Sequence, residues 1–206
     1  MNPQRRFVIF DMDGTVTRGD SMFDLLASSI RRRPSRLIGA PAAVARAAWQ
    51  LSSGQRTRAK ESMLHLVFAG LDHKGVQEVA ALAASRVSLN PSVLRRIEEH
   101  HSAGDEVWIA SASPRPVVEH VADRVGIINV VATELDFDSG VATGRLRGSN
   151  CRGNEKLRRL DAVLPGGWRS WAVAYSDDLD ADGPLLAASA KAFLVRGEEL
   201  REVVVP

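Results

Sequence analysis

Hydrophobic and polar positions along this chain fall into two regimes. Phe7-Val8-Ile9-Phe10 is a short continuous apolar run rich in β-branched and aromatic residues. Such a run reads as a buried strand of a parallel sheet. It breaks off at Asp11-Met12-Asp13-Gly14-Thr15, a turn-forming stretch. From Ser21 to Ser85 the chain is rich in Ala, Leu, Arg and Gln without a strand pattern. Pro34, Pro41, Gly54 and Gly70 punctuate that block into about four helices.

Beyond Ser88 the pattern alternates. Pro91 to Ser102 predicts an amphipathic helix with proline in its first turn, ended by Gly104. Val107-Trp108-Ile109-Ala110 predicts a second buried strand, Pro114 to Val125 a helix capped by Gly126, and Ile127 to Ala132 a strand. Leu135-Asp136-Phe137 and Val141-Ala142-Thr143 flank an Asp-Ser-Gly turn and predict a hairpin. A helix over Asn154 to Val163, a strand over Trp171 to Tyr175, a short helix over Leu185 to Ser189 and a last strand over Ala192 to Val195 complete the reading. Strands alternating with helices of this length imply an α/β fold with a parallel sheet. The helical block interrupts that alternation, so it is expected to be an insertion after the first strand, a cap or lid.

Composition narrows the class. The 206 residues are 45% hydrophobic and 25% charged, which excludes disorder. Lys and Arg total 27 against 25 acids, too even a balance to imply nucleic-acid binding, and the four tryptophans are scattered. The single cysteine, Cys151, excludes an internal disulfide framework and a Cys-rich zinc site. The apolar start is broken at once by Asp11, unlike a signal peptide, and no run reaches the ~18 residues of a membrane span. The expectation is a soluble cytoplasmic protein.

Ligands of open α/β sheets bind at the carboxyl ends of the strands. Three predicted strands end in polar clusters: Asp11 and Asp13, then Ser111-Ala112-Ser113, then Ser176-Asp177-Asp178 with Asp180 and Asp182 following. Lys156 opens a helix between the last two. If these edges converge, several carboxylates share one site. Packed carboxylates repel, and each desolvated charge is costly, so a bound cation is expected. An all-oxygen donor set suits Mg²⁺. A carboxylate left free could attack phosphorus, and a lysine with a serine hydroxyl could hold phosphoryl oxygens.

These residues resemble a known family. Phe10-Asp11-Met12-Asp13-Gly14-Thr15-Val16-Thr17 is similar to the first motif of the haloacid dehalogenase (HAD) superfamily; Ser111 resembles its second, Lys156 its third, and Asp177 to Asp182 its acidic fourth. Arg18-Gly19-Asp20-Ser21, Ala110-Ser111-Ala112-Ser113-Pro114, Thr143-Gly144-Arg145 and Asn150-Cys151-Arg152-Gly153 resemble subfamily IB, the phosphoserine-phosphatase-like branch with a helical cap after the first motif. The resemblance implies a three-layer, Rossmann-like core over residues 1–17 and 86–206 and a cap over 18–85. It implies a Mg²⁺-dependent phosphatase acting on a small phosphorylated metabolite. Asp11 is then the nucleophile that forms an aspartyl-phosphate, and Asp13 the general acid and base. Ser111 binds a phosphoryl oxygen, and Lys156 neutralises charge. Mg²⁺ is held by the Asp11 carboxylate, the Asp13 carbonyl and an acid of the fourth motif.

Two readings of that fourth motif stay open. Asp177 is the direct ligand and Asp182 follows at wider spacing than the usual pattern, or Asp178 takes its place with Asp182 as partner. Asp177 is preferred because it follows the strand-ending Tyr-Ser. Asp180 reads as a solvated loop acid. Asp20 suits either a substrate amine or a helix N-cap. Arg56 and Ala112 are further candidate substrate contacts. By alignment the family's cap arginine falls near Leu66, with Arg56, Arg58 and Lys60 nearby in a different register. Ser113, directly before Pro114, is expected to cap the next helix and so free Ser111 for phosphate. Arg31-Arg32-Arg33 and Arg36 precede the uncharged run Leu37 to Val44. They read as a solvated helix end, or as a basic face for an anionic membrane surface, as a phosphatidylglycerophosphate-type phosphatase would need. A non-catalytic phosphoryl-binding or signalling protein is the other alternative, set apart by Asp13, which receiver domains do not need. The five histidines read as structural or solvated, with His100-His101 at a helix C-terminus where imidazolium suits the dipole. Cys151 carries no assigned role.

Overall fold

The computed structural model describes residues 6–205. Six strands form one sheet: β1 (Phe7–Phe10), β2 (Glu106–Pro114), β3 (Asn129–Thr133), β6 (Ala172–Ser176), β7 (Lys191–Arg196) and β8 (Glu199–Val203). Their order is β3-β2-β1-β6-β7-β8, parallel except for the edge strand β8, which runs antiparallel to β7. A separate hairpin pairs β4 (Leu135–Asp138) with β5 (Val141–Leu146).

Alternation along β1 divides the core. Val8 and Phe10 join one buried cluster with Val107, Ile109, Val173 and Tyr175, covered by α5 (Pro91–Ser102) and α6 (Arg115–Arg124). Ile9 faces the opposite cluster with Ala110, Ala174, Leu160 and Leu185, covered by α7 (Asn154–Val163) and α8 (Leu179–Ala188). Helix, sheet and helix therefore form three layers, and strands buried on both faces account for their continuous apolar sequence.

Four helices stand between β1 and α5: α1 (Ser21–Arg32), α2 (Ala40–Ser52), α3 (Arg56–Phe68) and α4 (His73–Arg86), with a 3₁₀ turn over Pro34–Ile38. The chain leaves and re-enters the sheet side by side. Asn90 N–H donates to the Val16 carbonyl at 2.9 Å and Arg18 N–H to that of Ser88 at 2.8 Å. Leu25 of α1, Leu64 and Phe68 of α3, and Val79 and Ala83 of α4 share the first core cluster. Helix α2 belongs to neither cluster; its buried residues are Ala40 and Ala47. Helix α3 also rests on the β5 hairpin. There Gly144 has φ 79°, and a Cβ would lie 2.3 Å from His65 Cα, so only glycine lets the two backbones approach.

Four expectations are corrected. The second strand runs on to Pro114, so Ser111 lies within it. The helix expected from Leu185 begins at Leu179, because Asp178 caps its free amides and Asp180 and Asp182 in the first turn suit its dipole. Asp180 is thus a helical residue, not a loop acid. The chain also turns after β7 into β8, an edge strand whose Glu-Leu-Arg-Glu-Val sequence lacks a continuous apolar run. Of the two readings for the histidines, His100 takes the structural one: it is buried, Nδ1 lies 2.7 Å from Asp105 Oδ2 and Nε2 3.0 Å from the Tyr175 hydroxyl, and burial lowers its pKa. Among the described residues no helix is long and apolar enough to cross a membrane.

Candidate active site

The strand order dictates what meets. β1 lies between β2 and β6, with Phe10 level with Ile109 on one side and Tyr175 on the other. Residues just beyond these positions, Asp11, Ser111 and Asp177, therefore emerge at one edge of the sheet. They line a cavity of about 580 Å³ together with Asp13, Lys156 and Asp182.

Lys156 is fully buried on the first turn of α7. Its Nζ donates to Asp11 Oδ1 at 2.8 Å and sits 2.5 Å from Asp182 Oδ1. Burial opposes its charge, but the two carboxylates override this and hold the ammonium above its ordinary pKa. Burial likewise pushes the Asp11 carboxyl up against the pull of Lys156, with Asp182 and Asp13 adding to the rise. Asp182 also accepts from the Ser176 hydroxyl at 2.7 Å. Its carboxylate thus braces the lysine alongside Asp11. Lys156 occupies Asp11 Oδ1, and among the described residues Oδ2 accepts no protein hydrogen bond.

Asp13 is set by the chain on either side of the insertion. Its Oδ1 accepts the Ser21 N–H at 2.8 Å, from the start of α1, and its Oδ2 accepts the Ser113 hydroxyl. Burial raises its pKa above the usual carboxylate value, while these two donors pull it down. Ser113 is therefore not the cap of α6 that its place before proline suggested. That helix has no side-chain cap, and Ser113 orients Asp13. Ser111 Oγ is buried and accepts the Ser113 N–H at 3.0 Å.

Asp177 and Asp178 diverge. Asp177 N–H donates to Thr15 Oγ1 at 3.0 Å, and that hydroxyl lies 3.3 Å from Asp177 Oδ1. Gly14 has φ 76°, and a Cβ there would lie 2.1 Å from Asp177 Oδ2. The missing side chain lets the Asp177 carboxylate lie against the loop that carries Asp13. Burial raises its pKa. Asp178 Oδ1 instead accepts the N–H groups of Asp180 and Ala181, and Oδ2 lies 3.3 Å from Arg152. Burial pushes the other way, but these amides and the arginine hold its pKa below the ordinary value. Its carboxylate is committed to capping α8.

Several candidates have other engagements. Asp20 lines the cavity but caps α1, accepting the Met22 N–H at 2.8 Å. Arg56 is exposed at the cavity rim, 3.5 Å from Asp180. The Ala112 carbonyl accepts from Lys60 and from Thr133 Oγ1. Lys60 is the residue that sequence reasoning passed over as out of register. It reaches from α3 across to the sheet edge and also donates to Asn150 Oδ1 at 2.8 Å. Burial pushes its pKa down to about 8. The run Arg56-Thr57-Arg58-Ala59-Lys60 carries no sequence signal that sets Lys60 apart from its basic neighbours. Cys151 is buried, and burial pushes its thiol up to about 11, which disfavours the thiolate.

Buried and half-buried carboxyls whose pKa values rise through desolvation form a hard oxygen site at this edge of the sheet. Such a donor set fits Mg²⁺. Among the described residues no three acidic, histidine or cysteine side chains are grouped tightly enough to hold an ion on their own. The set expected from the motifs needs only two, Asp11 and Asp177, with the Asp13 carbonyl.

An aspartate-bearing strand end flanked by serine, lysine and acidic strand ends agrees with the motifs that resemble the haloacid dehalogenase superfamily. That family's profile matches residues 8–187, and the chain belongs to it. Among its relatives, a phosphoserine phosphatase of Albidiferax ferrireducens is 29% identical over 75% of this chain and 63% of its own. Phosphoserine phosphatase SerB1 of Mycobacterium tuberculosis is 32% identical over 43% of this chain and 29% of its own. The chain thus spans less than two thirds of these relatives. A Bordetella pertussis protein of unknown function superposes with TM-score 0.77 at 25% identity, covering 91% of this chain and 88% of that one. A phosphoserine phosphatase solved as a phospho-aspartyl intermediate analogue shares the fold, with TM-score 0.61 and 16% identity over 91% of this chain and 85% of its own.

Proposed function

We propose that this protein hydrolyses phosphate monoesters of small metabolites through an aspartyl-phosphate on Asp11, as a member of the phosphoserine-phosphatase-like branch, subfamily IB. The observation that carries the reading is the clamp on Asp11: Lys156 holds Oδ1 and leaves Oδ2 free at the cavity. Asp11 Oδ2 attacks phosphorus and forms a new P–O bond while the ester P–O bond breaks. The leaving oxygen takes its proton from Asp13, whose raised pKa suits an acid. Asp13, now a carboxylate, then accepts a proton from water as that water attacks the phosphoryl group and releases Asp11. Lys156 and Ser111 offset the negative charge that builds on the phosphoryl oxygens. Asp11, Asp177 and the Asp13 carbonyl would hold Mg²⁺, which supplies Lewis-acid stabilisation of that charge when bound. Asp182 fixes Lys156, and Asp178 fixes α8.

Residues 18–85 serve as a cap over a core of 1–17 and 86–206. The paired entry and exit segments at Val16–Arg18 and Ser88–Asn90 support that division. A cap excludes water during the first transfer and selects the ester. Lys60, with Asp20 and Arg56 at the rim, is the side chain through which the cap meets the substrate.

The test is phosphate release from a panel of monoesters, including phosphoserine, sugar phosphates, nucleotides and an aryl phosphate, with and without Mg²⁺. Release is expected only with Mg²⁺, and Asp11→Asn lowers it by about three orders of magnitude or more. Asp13→Asn keeps Mg²⁺ binding and loses about a hundredfold in turnover. Release that persists in Asp11→Asn overturns the nucleophile assignment. A folded, Mg²⁺-binding protein inactive on every ester favours a phosphoryl-binding role.

A further inference from the structure

Among the described residues, one face of the inserted helices has no partner. Helix α2 turns Ala40, Ala43, Ala47 and Gln50 inward, a stripe at helical spacing. The opposite side presents Pro41, Ala42, Ala45, Ala48 and Trp49, all exposed. Trp49 is 64% exposed, and in the 3₁₀ turn before α2 Leu37 is 60% and Ile38 87% exposed. The helix joins neither hydrophobic cluster of the fold. A solvent-facing helix side normally carries charge, whereas this one carries only Arg46 at its flank.

Charge identifies the occupant. Between Ser21 and Arg58 the chain has seven arginines and one acid, Asp24. The whole molecule has a formal charge of only +2, so this excess is local. Arg36 is spent inside the fold, donating to the carbonyls of Leu66, Val67 and Ala69, and Arg32 pairs with Glu78. Arg31 and Arg46 are exposed and make no hydrogen bond or ion pair among the described residues. A second copy docking this face on itself across a two-fold axis would bury Arg46 of both copies against a face that carries no acid to pair it. An anionic bilayer satisfies both features. The apolar side chains enter the headgroup boundary, tryptophan is suited to that depth, and the arginines meet lipid phosphates.

We infer that the 3₁₀ turn and the outer face of α2 form a docking surface for anionic lipid bilayers. The inner flank of α2 contributes Ala47 and Leu51 to the catalytic cavity. A docked α2 therefore holds the mouth of that cavity at the membrane surface. Binding is read without turnover, so this inference and the phosphatase reading fail separately.

The experiment is sedimentation of the full chain with vesicles of phosphatidylglycerol and phosphatidylcholine in equal parts, and with phosphatidylcholine alone. Binding is expected to the mixed vesicles at low salt, to weaken strongly in 0.5 M NaCl as screening shortens to about 4 Å, and to be absent on phosphatidylcholine. Ile38→Glu and Trp49→Glu, at exposed positions that leave the fold intact by circular dichroism, each lower the partition coefficient at least about tenfold. Arg31→Ser and Arg46→Ser each lower it about fivefold. A blue shift of tryptophan emission on binding disappears in Trp49→Phe. No binding to the mixed vesicles at low salt overturns the inference, as does equal binding to phosphatidylcholine or binding indifferent to these variants. A dimer that Trp49→Glu splits, with no vesicle binding, assigns the face to a second copy instead.

Discussion

Single side chains at this site are tuned by the hydrogen bonds that hold them. Asp13 is pulled between burial, which raises its pKa, and the Ser113 hydroxyl, which favours its charged form. Removing the hydroxyl shifts that balance one way. Ser113→Ala is expected to move the pH–rate limb that reports Asp13 to higher pH and to lower kcat about tenfold, measured as phosphate release across pH 5–9. An unmoved limb would deny Ser113 its positioning role. Gly14 acts through an absence, because any Cβ there meets the Asp177 carboxylate. Gly14→Ala therefore displaces Asp177 and strains a backbone at positive φ, and the Mg²⁺ concentration for half-maximal release is expected to rise about tenfold. A wild-type Mg²⁺ dependence in that variant would remove Asp177 from the ligand set.

At the scale of elements, α8 separates two neighbouring acids that the sequence presents as equivalent. Asp178 ends a strand-to-helix turn where its carboxylate satisfies two free amides, so it stabilises the helix even though it lines the same cavity as Asp11. Asp178→Ala is expected to cost about 1 kcal/mol, or about 2–4 °C in Tm for a chain of this size. It should leave the Mg²⁺ requirement unchanged. Asp177→Asn should do the reverse, raising the Mg²⁺ requirement with little change in Tm. Thermal melts and Mg²⁺ titrations of the two variants distinguish the roles, and interchanged effects would favour Asp178 as the ligand.

Over the whole molecule, a polar network ties the N-terminal ends of the strands to α5. Arg6 donates to both oxygens of Asp105 at 3.0 and 2.7 Å, Asp105 meets His100, and His100 meets Tyr175. Tyr175 in turn stacks between Phe10 and Phe193. Burial lowers the His100 pKa, so the folded protein binds fewer protons than the unfolded chain just below pH 6.5. Stability is then full above the unfolded value and is lost as pH falls through the lower folded one. Tm is expected to drop on acidification below pH 6.5, and His100→Gln should flatten that part of the curve. An identical slope in the variant would place the titrating group elsewhere.

The sequence by itself determined which strands are buried, that a helical block interrupts their alternation, and that carboxylates, a serine and a lysine end those strands. Local pattern carries these because continuous apolar runs and turn residues act within a few positions of the chain. Asp11, Asp13, Ser111 and Lys156 were legible for that reason, and the structure gathers them at one cavity. Tertiary structure alone decided what each group does once there. Ser113 turned from helix cap to partner of Asp13, His100 from a helix-end residue to the buried partner of Asp105 and Tyr175, and Lys60 from an unplaced residue to a half-buried ammonium at the sheet edge. Each choice depends on an atom 50 or more positions away in sequence for Ser113, Lys60 and the His100–Tyr175 contact. Burial and hydrogen-bond geometry at such range come from strand order and helix packing, which no local pattern encodes.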